Sequence, residues 1–181
     1  MTDAQIQEFI DRWKASGASE TSNLQSFINE LCDVLEVPHP DAATGIREQD
    51  GYVYERPVTY ADGSTGSIDL YKRGCFVMEG KQGADAPEAT PAEALGGAKS
   101  KRKAGTAKRG TRSWDRAMEA ARNQAERYAR AVSDEWPPFL IVVDVGHCLD
   151  LYADFARMGK GVRPLPDAHR LPHQPRRPPP A

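Results

Sequence analysis

The apolar run Cys75-Phe76-Val77-Met78 ends in Glu79-Gly80-Lys81, and a second apolar stretch ten positions upstream carries Asp69 behind Ile68. Runs of this length and make-up read as buried strands. Acids and lysines are seldom placed at the core end of a buried strand unless they are paired or hold a metal. A fold for this chain must therefore bury the two strands side by side and still find partners for Asp69, Glu79 and Lys81. A tight turn at Arg73-Gly74 joins the strands as a hairpin and brings Asp69 alongside Glu79.

Alternate side chains of a strand share a face, so Glu79 and Lys81 point the same way and Gly80 the other. Two carboxylates then converge with a lysine beside them. Carboxylate oxygens are the hard donors that Mg²⁺ or Mn²⁺ prefers. An ion held there activates water and neutralises charge on a phosphate in flight. In this reading Asp69 and Glu79 are metal ligands, Gly80 offers its carbonyl as a further ligand, and Lys81 orients the water or stabilises the pentacovalent phosphorus. The bland reading is that an Asp, a Glu and a Lys fall at this spacing by chance. Strand context and element order decide between the two.

The 181 residues suit one domain with a sizeable core. A net charge of −2 advertises no global field for nucleic acid, so charge distribution matters more than the total. Cys32, Cys75 and Cys148 are odd in number and far apart, which fits reduced thiols and a cytoplasmic location. The start has no secretory pattern, the longest apolar run is too short for a bilayer, and no internal repeat is visible.

Along the chain, Ile6, Phe9, Ile10 and Trp13 form a helical stripe over 2–16, opened by a Thr2/Gln5 capping box. A second helix over 21–35 buries Leu24, Phe27, Ile28, Leu31 and Leu35. Glu20 and Glu30 read as solvated or capping acids, with metal positioning as the lesser option for Glu20. Strands are expected over 51–60, 66–72 and 75–81, and Pro57 sets the first of them at an edge or a bulge. A helix over 113–132 follows, on which Gln124 and Tyr128 share one face. Either both look toward the carboxylates, with Gln124 on a ligand or the scissile phosphate, or they are ordinary packing and a surface amide. Phe139 to Val145 reads as a central strand, and Cys148 to Phe155 as its return across the Gly146-His147 turn, in which His147 is structural or at the surface.

Two segments lack apolar periodicity. Residues 83–112 are rich in Ala, Gly, Pro and basic side chains, with Lys99, Lys101, Arg102, Lys103, Lys108, Arg109 and Arg112 as positive charges. Such a segment cannot bury enough surface to order itself. It is either a solvated insertion or an arm that contacts DNA phosphates. From Gly159 the chain turns to Pro and Arg, and residues 159–181 are expected to be a disordered tail, as translation in a wrong frame would give, beyond a domain of residues 1–158.

An α-β-β-β-α-β core with an acid on the second strand and Glu-x-Lys on the third resembles the PD-(D/E)XK nuclease superfamily, an α/β restriction-endonuclease-like fold with a mixed sheet flanked by helices. Asp69 and Glu79-Gly80-Lys81 match its motif, with Ile68 where a proline is usual. Gln124-Ala-Glu-Arg-Tyr128 resembles the Q-x-x-x-Y motif of its RecB-like branch. The stretches 29–38, Ile68 to Arg73, Glu79 to Gly83, Trp114 to Met118 and Pro138 to His147 are similar to the amino-terminal nuclease region of MmeI-like type IIL restriction-modification enzymes, over roughly residues 5–160. The resemblance implies a Mg²⁺-dependent endonuclease acting on double-stranded DNA. In that family the nuclease is followed by a helical spacer, an adenine methyltransferase using S-adenosylmethionine, and a target-recognition domain. This chain has no Gly-rich cofactor loop and no room for those parts, so it reads as a fragment. The competing reading is a non-catalytic module that binds DNA through residues 99–112, or an inert remnant.

Overall fold

The computed structural model describes residues 2–16, 20–46, 48–81, 83, 107–132, 136–154 and 162–165, with the side chains of 20–22 excepted. Helix α1, Asp3–Lys14, begins at the capping box read from the sequence, in which the Gln5 amide N–H meets the Thr2 hydroxyl and the Gln5 side chain accepts from the Thr2 N–H at 2.9 Å. Helix α2 spans Glu20–Leu35. Trp13 of α1 meets Phe27 of α2 edge-on at 5.2 Å. Glu30, expected to be solvated, instead accepts from Arg12 and the Trp13 indole and so ties α2 to α1.

The sheet has six strands in sequential order: β1 Tyr52–Thr59, β2 Thr65–Lys72, β3 Phe76–Lys81, β4 Phe139–Asp144, β5 Cys148–Ala153 and β6 Arg163–Pro164. Among the described strands β3 and β4 are the parallel pair, because α3, Arg112–Ala131, crosses over between them. Helices α1 and α2 cover one face, where Trp13, Leu24, Phe27 and Ile28 pack on Leu70, Met78 and Val143. Helix α3 covers the other, with Ala125, Tyr128 and Ala129 on Ile68, Tyr71, Val77 and Leu140. Its alanines let the helix approach closely, as their number in the sequence suggests. Pro57 does lie in an edge strand.

The expected disorder from Gly159 does not hold at Val162 to Leu165. Arg163 and Pro164 pair with Ala153 and Tyr152, and Val162 is buried beneath α3. Two ladder pairs beside a single buried valine are too short to leave a period in the sequence.

One irregularity shapes the sheet. Leu70 faces α1 and α2, yet Ile68, two residues away, faces α3. On β1, Tyr54 likewise bonds α2 while Arg56 lies over Tyr71 on the α3 side. Both strands thus lose their alternation at one step, between the Tyr54–Leu70 and Arg56–Ile68 pairs. The residues at that step are Glu55, with a left-handed φ of 52°, and Asp69.

Candidate active site

Asp69 sits where the pleat reverses, so its side chain reaches along the sheet toward β3 rather than to either face. The β2–β3 ladder stops at Leu70–Met78, and one further step in the same register sets Asp69 opposite Glu79. There the strands part, and the Asp69 Oδ2 accepts the Gly80 N–H at 2.7 Å. Gly80 backs onto α2: a Cβ there would lie 2.7 Å from Leu24 Cδ2, so a side chain at this point would have to displace Leu24.

Glu79 is 2% exposed on the α3 side of the strand. Taking a carboxylate out of water costs on the order of several kcal/mol unless it is paired. Its pair is Lys81, whose Nζ lies 2.7 Å from Oε1. The pairing across i and i+2 is what the strand period requires. Asp69 is half-buried, and burial pushes its carboxyl above the usual range. The Gly80 N–H and the Lys81 charge oppose that rise, and Glu55 adds to it. Asp69, Glu79 and Lys81 therefore form one electrostatic group at the open end of the β2–β3 pair.

On α3, the Gln124 Nε2 donates to the Tyr128 hydroxyl at 3.0 Å. Tyr128 stacks on Tyr60 at 6.1 Å and abuts β2 at Gly66, where a Cβ would lie 2.8 Å from the ring. Burial raises the Tyr128 pKa, the Gln124 amide opposes this, and the Glu79 carboxylate adds to it. Tyr128 is thus within electrostatic reach of Glu79, and the Gln124 side chain is turned onto Tyr128. Among the described residues no three His, Cys, Asp or Glu side chains gather as a metal cage.

The basic segment divides. Lys99, Lys101, Arg102 and Lys103 lie outside the described residues, as does the side chain of Glu20. Lys108 and Arg112 are exposed. Arg109 corrects the expectation of a phosphate contact. Its side chain is 9% exposed, and Nε and Nη2 bond both oxygens of Asp144 at 3.0 and 2.8 Å. A guanidinium forked onto a buried carboxylate has no face left for DNA. Thr111 caps α3, its hydroxyl accepting the Trp114 N–H.

Sequence reasoning missed Asp144. This fully buried acid also accepts the Gly83 N–H at 2.9 Å and the Trp114 indole N–H at 2.7 Å. Those donors outweigh burial and hold its carboxyl below the usual range. The signal was present: Asp144 is the one acid in the most hydrophobic run of the chain, and a buried acid needs partners. His147, read as structural, lies edge-on to Trp114 at 5.5 Å beside this cluster.

Set against models of protein families, residues 1–178 match the family described as MmeI, N-terminal domain. The chain belongs to that family. The resemblance to the MmeI-like amino-terminal region is borne out, and with it the assignment to a region of type IIL restriction-modification enzymes. The match to the MmeI N-terminal domain extends through the Pro/Arg-rich end, which the wrong-frame hypothesis had set outside it. No curated protein and no solved structure gives a significant match. Among the described residues no helix is long and apolar enough to cross a membrane.

Proposed function

We propose that this chain is a metal-dependent DNA endonuclease domain with a PD-(D/E)XK core, hydrolysing phosphodiester bonds. One observation carries the reading. Where β2 and β3 part, Asp69 Oδ2 accepts the Gly80 N–H at 2.7 Å and Lys81 pairs with Glu79 at 2.7 Å, so the acid of β2 is fastened to the strand end that carries the second acid and the ammonium. Membership of the MmeI N-terminal domain family supports it.

The donor set fits Mg²⁺ or Mn²⁺. Such an ion dehydrates reluctantly and is commonly held by one or two carboxylates with several waters, so a third acidic side chain is not required. Asp69 and Glu79 would hold it, and when bound it would supply a Lewis acid for the phosphate oxygens. The chain's own residues do the rest. Lys81 places a positive charge where negative charge grows on phosphorus, and Glu79 fixes the direction of that ammonium. Burial of Asp69 raises its affinity for any cation that relieves the desolvated charge. Tyr128 and Gln124 buttress the Glu79 side of the opening.

Calorimetric titration of Mn²⁺ into the purified chain, beside Asp69→Ala, tests the reading. Saturable binding that disappears in Asp69→Ala is expected, together with loss of Mn²⁺-dependent plasmid cleavage in both Asp69→Ala and Lys81→Ala while circular dichroism stays native. Absence of binding by the wild-type chain, with or without duplex DNA, would overturn it in favour of a non-catalytic module.

A further inference from the structure

Asp144 has no place in the chemistry above, yet it collects four hydrogen bonds on one side chain at the end of the strand beside Lys81. We infer that Asp144 is a positioning residue for Lys81, an inference that rests on the nuclease reading.

The need for one follows from the sheet. Up to Met78, β3 is held on both flanks. Beyond Met78 the β2 ladder has ended; β3 stays paired to β4, and on the β2 flank the Gly80 N–H reaches Asp69. Lys81 is the last residue of β3 and lies level with Asp144 in the parallel register. A strand end with one open flank frays readily. Two bonds prevent this. The Val145 N–H donates to the Lys81 carbonyl at 3.1 Å, and the Gly83 N–H donates to Asp144 Oδ1 at 2.9 Å. The chain is thereby fixed at Lys81 and again two residues later.

The same carboxylate reaches α3. Trp114, in the first turn of that helix, donates its indole N–H to Oδ2, and Arg109, just before the helix, forks onto both oxygens and also donates to the Val145 carbonyl at 3.0 Å. Asp144 thus ties the end of β3, which bears Glu79 and Lys81, to the start of the helix that bears Gln124 and Tyr128. Lys81 Nζ depends on both ends of this arrangement: Glu79 orients the ammonium, and the clasp fixes its backbone. Gly83 is confined to glycine by the clasp itself, since a Cβ there would lie 2.7 Å from Asp144 Oδ2 and 3.0 Å from the Trp114 ring.

The test is ¹⁵N and ¹³C NMR of the Lys81 side chain in Asp144→Asn, with Val53→Ala, a buried position on edge strand β1 paired with Tyr71, as a variant that destabilises the core away from the clasp. Asp144→Asn keeps the shape and loses the charge that holds Arg109. The expected result is that the Lys81 Nζ and Cε signals shift or broaden, whereas Val53→Ala leaves them in place. Mn²⁺-dependent turnover should fall by about a hundredfold with little change in KM for DNA, as a small misplacement of a positioned group does. Lys81 signals identical to wild type in a folded Asp144→Asn would overturn the inference. If that variant does not fold, Arg109→Lys, which keeps the charge and loses the fork, is read in the same way. The nuclease reading fails separately, through full cleavage by Lys81→Ala, whatever the Lys81 signals do.

Discussion

Two aspartates flank the Glu79-Gly80-Lys81 strand end, and each accepts a backbone N–H from it. Asp69 takes that of Gly80 from the β2 side, and Asp144 takes that of Gly83 from the β4 side. Their charges are treated in opposite ways. Burial holds the Asp69 carboxyl above the usual range; one backbone donor and the Lys81 charge oppose this, and Glu55 adds to it. Asp144 is more deeply buried, yet Arg109, Gly83 and Trp114 hold it below 3.8. Burial alone does not decide the state of an acid; the number and charge of its donors do. A saturated carboxylate has no valence left for a cation and serves as a fastener. A desolvated, under-supplied one is where a cation gains most.

The largest test of this contrast removes the guanidinium. Arg109→Met leaves Asp144 buried with neutral donors, and breaking a buried pair from one side costs about 3–5 kcal/mol. Urea unfolding at pH 7 should show that loss. The sign with pH follows from linkage. Asp144 has a lowered folded pKa, so its contribution is present above 3.8 and lost as pH falls through the folded value. The deficit of Arg109→Met should therefore shrink in acid. A loss below about 1 kcal/mol, the range of an exposed pair, would dissolve the contrast between the two acids.

The next effect is steric. Gly83→Ala would put a Cβ 2.7 Å from Asp144 Oδ2 and 2.9 Å from Arg109 Cγ. Forcing an atom into so tight a cluster costs about 1–3 kcal/mol. In a chain of this size each kcal/mol lowers Tm by about 2–4 °C, which a thermal melt resolves. An unchanged Tm would mean that the clasp yields, and that Asp144 is a softer anchor than its four bonds suggest.

The two sides of this comparison were not equally legible in the sequence. The Asp69 side was, because strand period and turn chemistry are local. Arg73-Gly74 forms the expected turn, with the Cys75 N–H on the Lys72 carbonyl at 3.0 Å, and the period of two pairs Lys81 with Glu79. What stayed hidden there is the pleat reversal, since a left-handed φ at Glu55 has no glycine or asparagine to announce it. The Asp144 side depends on contacts across 35 residues with Arg109 and 61 with Gly83. Composition marked Arg109 as one of a run of solvated cations. Nothing local to a low-complexity stretch says which cation turns inward. The cue lay at the other end, in an acid set among Phe139 to Val145.

The smallest effect has the opposite sign and separates the two acids most cleanly. Asp69→Asn keeps an oxygen for the Gly80 N–H and removes a desolvated charge facing Glu55. A carboxyl with a raised folded pKa contributes most below its unfolded value and loses that contribution as pH rises through the folded one. Wild type and Asp69→Asn should therefore have similar stability near pH 4, and above it the variant should be equal or more stable by under about 1 kcal/mol, because solvent screens a half-exposed group. Added Mn²⁺ should then raise the stability of wild type at pH 7 by mass action and leave Asp69→Asn unmoved. Urea unfolding from pH 4 to 8, with and without Mn²⁺, reads both. If Asp69→Asn instead loses more than about 1 kcal/mol at pH 7, Asp69 is a second fastener like Asp144, and the opening between β2 and β3 loses the feature that makes it a cation site.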